Sequence, residues 1–255
     1  ATVQALWNAA PDWLSTLQTN TFEDGKPGSE LTSQLHQVTR LQLPNAHDVK
    51  LAHALRHGWR HWLSLLNEYR ADISEQTSAC TDSQANNLLK AFSEFSVLCA
   101  VREGPFGVTQ LNAHIEKSLG FNSNAWYVGR PVMVTRNDYA LELMNGDVGI
   151  CLPGPNGVLR VAFPGLSGSV RWIVPSRLDS VETVFAMTVH KSQGSEFKHV
   201  LLVVPVQDST VLTRELVYTG LTRAREDLTI WAPRKEVLLQ ACSRRVLRSG
   251  GLGAG

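Results

Sequence analysis

The sequence has 255 residues, 43% hydrophobic and 18% charged, so it can bury a substantial core, and disorder is not the default expectation. Its formal net charge of +1 excludes a global field that would hold the chain on nucleic acid or lipid, so any polyanion site must be local. No apolar run approaches the ~20 residues of a membrane span, the first residues carry no basic export signal, and the four cysteines form no C-x-x-C pair. We therefore expect a protein of the reducing cytoplasm with no membrane contact.

Residues 1–95 are predicted to form a helical segment. One helix is expected near residues 6–17, and a repeat at Leu88 and Phe92 predicts another. A longer helix is predicted by an apolar stripe with spacings of three and four residues: Leu51, Leu55, Trp59, Trp62, Leu66 and Tyr69. Core packing is the preferred role for the tryptophans of this stripe and for Trp172 and Trp231 in strand-like runs, with base stacking as the alternative.

The remainder is predicted to be α/β, with strands and helices alternating over residues 96–125 and again over 183–248. Between them, residues 126–182 contain short apolar runs separated by turns rich in glycine, proline and asparagine, a pattern typical of a small antiparallel barrel. A barrel inserted into one α/β sheet is the simplest account. The glycine-rich residues 249–255 are predicted to be a flexible tail.

Lysines and arginines are concentrated in the second half of the chain. Residues 1–120 carry 9 Lys and Arg against 12 Asp and Glu, a net of −3, whereas residues 121–255 carry 15 against 11, a net of +4. A few charges on a domain are usually a solvated surface, so this imbalance indicates nucleic-acid binding only together with specific motifs.

Residues 188–197, TVHKSQGSEF, follow one apolar strand and precede another. Ligands bind at strand ends in α/β folds, and this segment offers hydroxyls, an imidazole and backbone N–H groups to a phosphate. It therefore suits a nucleotide or a nucleic-acid backbone. A polar connection without function remains open, because loops are generally polar.

Residues 213–225 are predicted to form a helix that carries Arg223 and Arg225 on opposite sides. An arginine aimed at a nucleotide would stabilise the charge that develops during phosphoryl transfer. A solvated arginine paired with Glu226 or Glu215 is the alternative.

Together these two segments resemble motifs V and VI of superfamily 1 helicases, and the wider pattern resembles the RecD subunit family of the RecBCD complex (exonuclease V). The resemblance covers residues 95–233. It is carried, in order, by LCAVREGPFGV at 98–108, GRPVM at 129–133, NGDVGI at 145–150, AMTVHKSQGSEF at 186–197 and RELVYTGLTRARE at 214–226. It implies a second RecA-like motor domain of the P-loop NTPase type, with an inserted SH3-like barrel and a helical N-terminal segment.

The resemblance also implies roles for individual residues. It implies that Thr188, His190, Lys191 and Ser192 contact DNA. Nucleotide contacts fall to Gln193, Gly194, Glu196 and Arg223, with Arg223 as the catalytic arginine finger on the γ-phosphate. Arg102 and Asn112 serve either function or packing around the Gly104 loop.

No G-x-x-x-x-G-K-[ST] sequence is present, and no strand ends in the carboxylates of a Walker B motif. By resemblance, ATP and Mg²⁺ would bind between this domain and a first motor domain that supplies those residues. We therefore expect this chain alone to be inactive as an ATPase.

His53, His57 and His61 have a spacing that can hold zinc, but no other ligand lies close in sequence, so no metal site is predicted.

The leading hypothesis is the C-terminal part of an ATP-dependent 5′–3′ DNA helicase subunit of exodeoxyribonuclease V. By resemblance it binds single-stranded DNA and RecB-like and RecC-like subunits, and it acts in double-strand break repair and recombination. One alternative is a non-catalytic module that binds DNA or those subunits. Another is a stand-alone RecD-like helicase.

Overall fold

A computed structural model describes residues 37–41, 43, 49–75, 79–121 and 126–245. The helix predicted near residues 6–17 and the tail at 249–255 lie outside these ranges. The described helices are α1 (Val49–Gly58), α2 (Arg60–Glu75), α3 (Asp82–Phe92), α4 (Val108–Ser118), α5 (Arg214–Leu221) and α6 (Lys235–Ser243). The described strands are β1 (Gln37–Leu41), β2 (Phe95–Cys99), β3 (Pro131–Val134), β4 (Val148–Pro153), β5 (Leu159–Pro164), β6 (Val170–Ile173), β7 (Val181–Thr183), β8 (Ala186–Thr188), β9 (Phe197–Val203) and β10 (Ala224–Trp231).

Five strands form a parallel sheet in the order β1-β10-β9-β2-β8. Helices cover both faces of this sheet, so the side chains of its central strands are buried on both sides. The sequences of these strands are therefore continuous apolar runs. Val97 and Leu201 pack with residues of α1 to α4 on one face. Leu98 and Leu202 pack with residues of α5 and α6 on the other. The predicted α/β class with a parallel sheet is confirmed.

Strand β1 corrects the prediction that residues 1–95 are helical. Residues 37–41 pair with β10 at the edge of the parallel sheet, with Leu41 opposite Trp231. The Trp231 indole Nε1 also donates a hydrogen bond to the Leu43 carbonyl at 3.2 Å. Because the paired residues of the two strands are 190 positions apart in sequence, no local periodicity could reveal this pairing.

The long apolar stripe forms two consecutive helices, α1 and α2, which meet at Trp59. Trp59 and Trp62 are fully buried, and the Trp59 ring packs edge-on against Phe95 and Phe185 with centroids 4.8 and 5.4 Å away. The core-packing prediction is thus confirmed for both. Trp231 is also fully buried, whereas half-buried Trp172 donates a 2.7 Å hydrogen bond to Asp82.

The second sheet is antiparallel, in the order β6-β5-β4-β3-β7, and spans residues 131–183. We call it the inserted sheet, because the chain enters it after β2 and α4 and leaves it into β8. Its own core includes Val132, Cys151, Val161 and Phe163. Among the described residues its strand pairs leave β6 and β7 as edges, so the closure expected of a barrel is not seen.

The apolar residues 183–189, which open the second segment predicted to be α/β, are divided between the two sheets. Thr183 pairs with Val132 of the inserted sheet, whereas Ala186 pairs with Val97 of the parallel sheet. Only Val184 and Phe185 separate β7 from β8, and both are buried. The inserted sheet is therefore joined closely to the edge of the parallel sheet.

Candidate functional site

The loop over residues 189–196 connects β8 to β9 and crosses β2, which lies between those strands. It is built from successive tight turns: the backbone N–H of Lys191 donates to the Thr188 carbonyl, and that of Ser195 to the Ser192 carbonyl, both at 3.0 Å. Gly194 has φ +85°, a conformation that glycine adopts without strain. The glycine is thus explained by the turn that it makes.

The structure exposes most side chains of this loop. His190, Gln193 and Glu196 are exposed, as is Gly194, and Thr188 is half-buried at the end of β8. These residues are therefore accessible to a ligand from the surface.

The structure corrects the prediction that the Ser192 side chain contacts DNA. Its side chain is fully buried, and its hydroxyl donates a 2.8 Å hydrogen bond to the Val189 carbonyl. A buried hydroxyl needs such a partner, and the turn supplies it locally. The Ser192 side chain therefore stabilises the turn of the loop and is not accessible to DNA.

Lys191 is held in an ion cluster with Glu182 of β7 and Arg102 of the turn after β2. Lys191 Nζ lies 2.7 Å from Glu182 Oε1, and Arg102 Nη2 lies 3.0 Å from Glu182 Oε2. Burial alone would raise the pKa of Glu182, but the hydrogen bonds from the two cations outweigh it and hold the pKa below its ordinary value. This carboxylate is ionised at neutral pH and links the inserted sheet to the loop.

Arg223 lies in the turn between α5 and β10, which corrects the helix predicted over residues 213–225. The helix ends at Leu221, Thr222 caps it, and Ala224 begins the next strand. The Arg223 guanidinium donates from Nη1 to the Ser195 carbonyl at 3.0 Å and from Nε to the Thr219 carbonyl at 3.2 Å. The alternative pairing of Arg223 with Glu226 or Glu215 is not among its hydrogen bonds in the described residues.

The loop brings the two predicted functional sets to opposite edges of the parallel sheet. Thr188 and His190 follow the carboxyl end of β8. Glu196 precedes β9, whose first residue, Phe197, donates its N–H to the Arg223 carbonyl at 2.8 Å. One set thus lies at the carboxyl edge and the other at the amino edge, and the loop connects them directly.

Asn112 has a structural role in α4. Its buried side chain accepts hydrogen bonds from the Phe185 and Ala186 N–H groups at 2.7 and 2.8 Å and donates to the Ala186 carbonyl at 3.0 Å. Strand β8 is an edge of the parallel sheet, so this amide pairs backbone groups that have no neighbouring strand on that side. Of the two readings, the geometry favours packing.

The three spaced histidines lie on α1 and α2. His61 Nδ1 is 3.1 Å from Glu94 Oε2, and His57 Nε2 is 3.2 Å from the Arg60 guanidinium. Over the described ranges, no group of three or more histidine, cysteine or acidic side chains is arranged to hold a metal ion.

In the same ranges no helix has the length and apolarity needed to cross a bilayer.

A cavity of about 620 Å³ lies beside the loop. Its walls include Met133 and Asp147 of the inserted-sheet region and Lys191, Ser195 and Glu196 of the loop. The loop is therefore accessible from the side of the inserted sheet as well as from the sheet edges.

Glu182 is the residue that the sequence reasoning missed. It carries no motif signal, because a single acidic residue in a short strand is common on surfaces. Its significance comes from the pairing of β7 with β3, which places it against Arg102 and Lys191.

Comparison with known proteins places this site in a helicase context. The family of the UvrD-like helicase C-terminal domain matches residues 183–231, which include the loop and Arg223. The RecBCD enzyme subunit RecD of Haemophilus influenzae is 38% identical over 204 residues, 76% of this chain and 30% of that protein. The ATP-dependent RecD2 DNA helicase of Deinococcus radiodurans is 32% identical over 206 residues, 76% of this chain and 28% of that protein.

A solved structure of the Pif1 helicase from Bacteroides, in complex with ADP-AlF3 and ssDNA, aligns with 70% of this chain and 50% of its own at 17% identity and a TM-score of 0.39. The resemblance to RecD subunits is confirmed by the sequence relatives. The chain spans about 30% of the length of the H. influenzae relative.

Proposed function

We propose that this chain, which is similar to RecD subunits over three quarters of its length, supplies the second RecA-like motor domain of an ATP-dependent DNA helicase. The whole protein would move 5′ to 3′ on single-stranded DNA as a subunit of a cytoplasmic exodeoxyribonuclease V, in double-strand break repair and recombination. Support comes from the RecD relatives, from the match to a helicase C-terminal domain and from the parallel α/β sheet.

The observation that carries the proposal is the hydrogen bond between Arg223 and the Ser195 carbonyl. It joins the two segments that resemble motifs V and VI, and the two bonded residues are 28 positions apart in sequence. A motor requires the residue that senses the nucleotide to be linked to the residues that hold DNA. Here one loop provides that link.

In this proposal Gln193, Gly194 and Glu196 contact the nucleotide, and Arg223 contacts its γ-phosphate. When bound, ATP would donate its γ-phosphoryl group to water and so supply the free energy for movement. Arg223 has five N–H donors in a planar fork and is always charged, so it suits the charge on an equatorial phosphate oxygen. The first motor domain would hold Mg²⁺, because the Walker residues are absent from this sequence.

Thr188, His190 and Lys191 would contact the DNA backbone at the carboxyl edge of the sheet. Phosphate contacts release counterions, so we expect weak and salt-sensitive binding of single-stranded DNA by this chain. The inserted sheet corresponds in this proposal to the SH3-like barrel that the RecD resemblance implies, and it would lie along the DNA path.

A second function, docking onto RecB-like and RecC-like subunits, is favoured by exposed apolar side chains of the inserted-sheet region. Leu166, in the turn between β5 and β6, is 90% exposed, and Tyr139 is 78% exposed. Large exposed apolar side chains on a module are consistent with a protein contact, although single ones are common on surfaces. The similarity to RecD2 keeps a stand-alone helicase as the alternative to such a complex.

The test is the ATPase rate, stimulated by single-stranded DNA, of a protein that joins this chain to a first motor domain. We expect Arg223→Ala to lower turnover by about 10³-fold or more while nucleotide binding is largely retained. Arg225→Ala is the matched control, because Arg225 is exposed two residues away, and should leave turnover unchanged. Turnover that survives Arg223→Ala would leave the non-catalytic module as the better account.

A further inference from the structure

Two cations share one carboxylate at the carboxyl edge of the parallel sheet. Arg102 and Lys191 contact different oxygens of Glu182, at 3.0 and 2.7 Å. The side chains are 54%, 31% and 26% exposed for Arg102, Lys191 and Glu182, so solvent reaches all three. The group carries a formal charge of +1.

The three residues come from three parts of the chain. Arg102 follows β2 and Lys191 follows β8, and the carboxyl ends of neighbouring parallel strands lie at the same edge. Glu182 comes from β7 of the inserted sheet. A fourth charged group, Glu103, lies 3.8 Å from Arg102 Nε, but its side chain is 72% exposed and accepts a hydrogen bond from Thr109.

A structural cross-link alone does not account for this arrangement. One cation would be enough to tie Glu182 to the sheet, and partly exposed ion pairs contribute little to stability. The second cation gives the three hydrogen-bonded side chains one positive charge more than a single ion pair would have, and the nearest further acidic side chain, Glu103, is mostly exposed, at the edge assigned above to the DNA backbone. An arginine and a lysine side by side bind a phosphate well, because the guanidinium donates two parallel hydrogen bonds and the ammonium adds a point charge.

We infer that Arg102 is a further contact to the nucleic-acid backbone, binding one phosphate together with Lys191, and that Glu182 is a positioning residue that holds both cations and competes with that phosphate for them. The inference rests on the proposed function, because it assumes that single-stranded DNA reaches this edge. It assigns a role to Arg102 and links the inserted sheet to the strength of DNA binding.

The experiment measures binding of a fluorescent dT20 oligonucleotide to the 255-residue chain by anisotropy, from about 50 to 200 mM salt. Arg102→Ala should weaken binding about three- to tenfold at the lowest salt and reduce the slope of log affinity against log salt by about 0.7, the value for one single-strand phosphate. Arg225→Ala removes the same charge near the amino edge and should change neither quantity. Melting temperatures of both variants would verify that they fold.

Glu182→Gln tests the competing carboxylate, with Glu103→Gln as the matched control beside the same arginine. We expect Glu182→Gln to tighten dT20 binding more than Glu103→Gln does, because only Glu182 contacts Lys191. Equal binding by Arg102→Ala and the unsubstituted chain would overturn the role of Arg102, and weaker binding by Glu182→Gln would overturn the competition. If the unsubstituted chain shows no salt-dependent binding, the proposed DNA contact fails as well, which separates the two failures.

Discussion

Arg223 donates a hydrogen bond from Nη1 to the carbonyl oxygen of Ser195 at 3.0 Å, so the turn after α5 is bonded near the end of the loop that joins β8 to β9. Its Nε donates to the Thr219 carbonyl at the same time. Under the proposed function, an arginine that turns toward a phosphate must release Ser195. The position of Arg223 and the conformation of the loop are therefore coupled.

We expect Arg223→Lys to destabilise this chain by about 1 kcal/mol, which corresponds to roughly 2–4 °C in melting temperature for a protein of this size. The ammonium keeps the charge but lacks the planar fork that bonds the Ser195 and Thr219 carbonyls together. Thermal unfolding followed by circular dichroism measures the change, with Arg225→Lys as the control. Identical melting of the two variants would show that the Ser195 contact does not persist in solution.

Asn112→Ala should lower the free energy of unfolding by about 2–4 kcal/mol, because it leaves the buried N–H groups of Phe185 and Ala186 without an acceptor. Urea titration at neutral pH measures the loss. Gln110→Ala, at an exposed position of the same helix, should cost less than about 0.5 kcal/mol. A small effect of Asn112→Ala would mean that water replaces the amide at the edge of β8.

His190→Ala should raise the concentration of single-stranded DNA that gives half-maximal ATPase stimulation, in a protein that carries both motor domains, and leave the melting temperature unchanged. The reason is that His190 is exposed and follows the carboxyl end of β8, where its removal costs little packing. Unchanged stimulation together with a large loss of melting temperature would instead make His190 a structural residue.

Stability should fall as the pH is lowered from about 6.5 to 4 because of His199. Burial, followed by the nearby charges of His57 and Arg60, lowers the pKa of His199 from 6.5 to about 4. The unfolded chain therefore takes up this proton at a higher pH than the folded chain, so the contribution is fully present above pH 6.5 and is lost toward pH 4.

The size of that contribution is at most about 3 kcal/mol, since each unit of pKa difference corresponds to about 1.4 kcal/mol. His199→Gln removes the titration and keeps a polar partner for the Thr229 hydroxyl, which lies 2.8 Å from His199 Nε2. Chemical unfolding at several pH values gives the free energy of unfolding of the unsubstituted chain and of His199→Gln. The contributions of other titrating groups cancel in the difference between the two. Parallel pH profiles would contradict the buried neutral histidine.

Local sequence patterns were sufficient for most of the α/β layer. The prediction of alternating strands and helices over residues 96–125 agrees with strand β2 and helix α4, because each of these elements buries its own apolar residues. The division of 183–189 between two sheets could not be predicted, because it depends on which strands lie beside Thr183 and Ala186.

The candidate site was predictable in position and less so in detail. A motif identifies residue types at fixed spacing, so it located the loop and Arg223. It could not show that the Ser192 hydroxyl turns inward or that Lys191 meets Glu182, because both facts depend on the packing around the loop. The functional roles of the loop residues stay predictions.

The pairing of β1 with β10 has a consequence for how the protein is made. The strand at 37–41 emerges from the ribosome long before residues 224–231, its partner in the sheet. It must therefore wait, unpaired, while about 180 residues are synthesised, which at 5–20 residues per second takes on the order of ten seconds or more. An unpaired strand exposes N–H and C=O groups that can pair incorrectly, so the described parallel sheet is completed only after residues 224–231 have been synthesised.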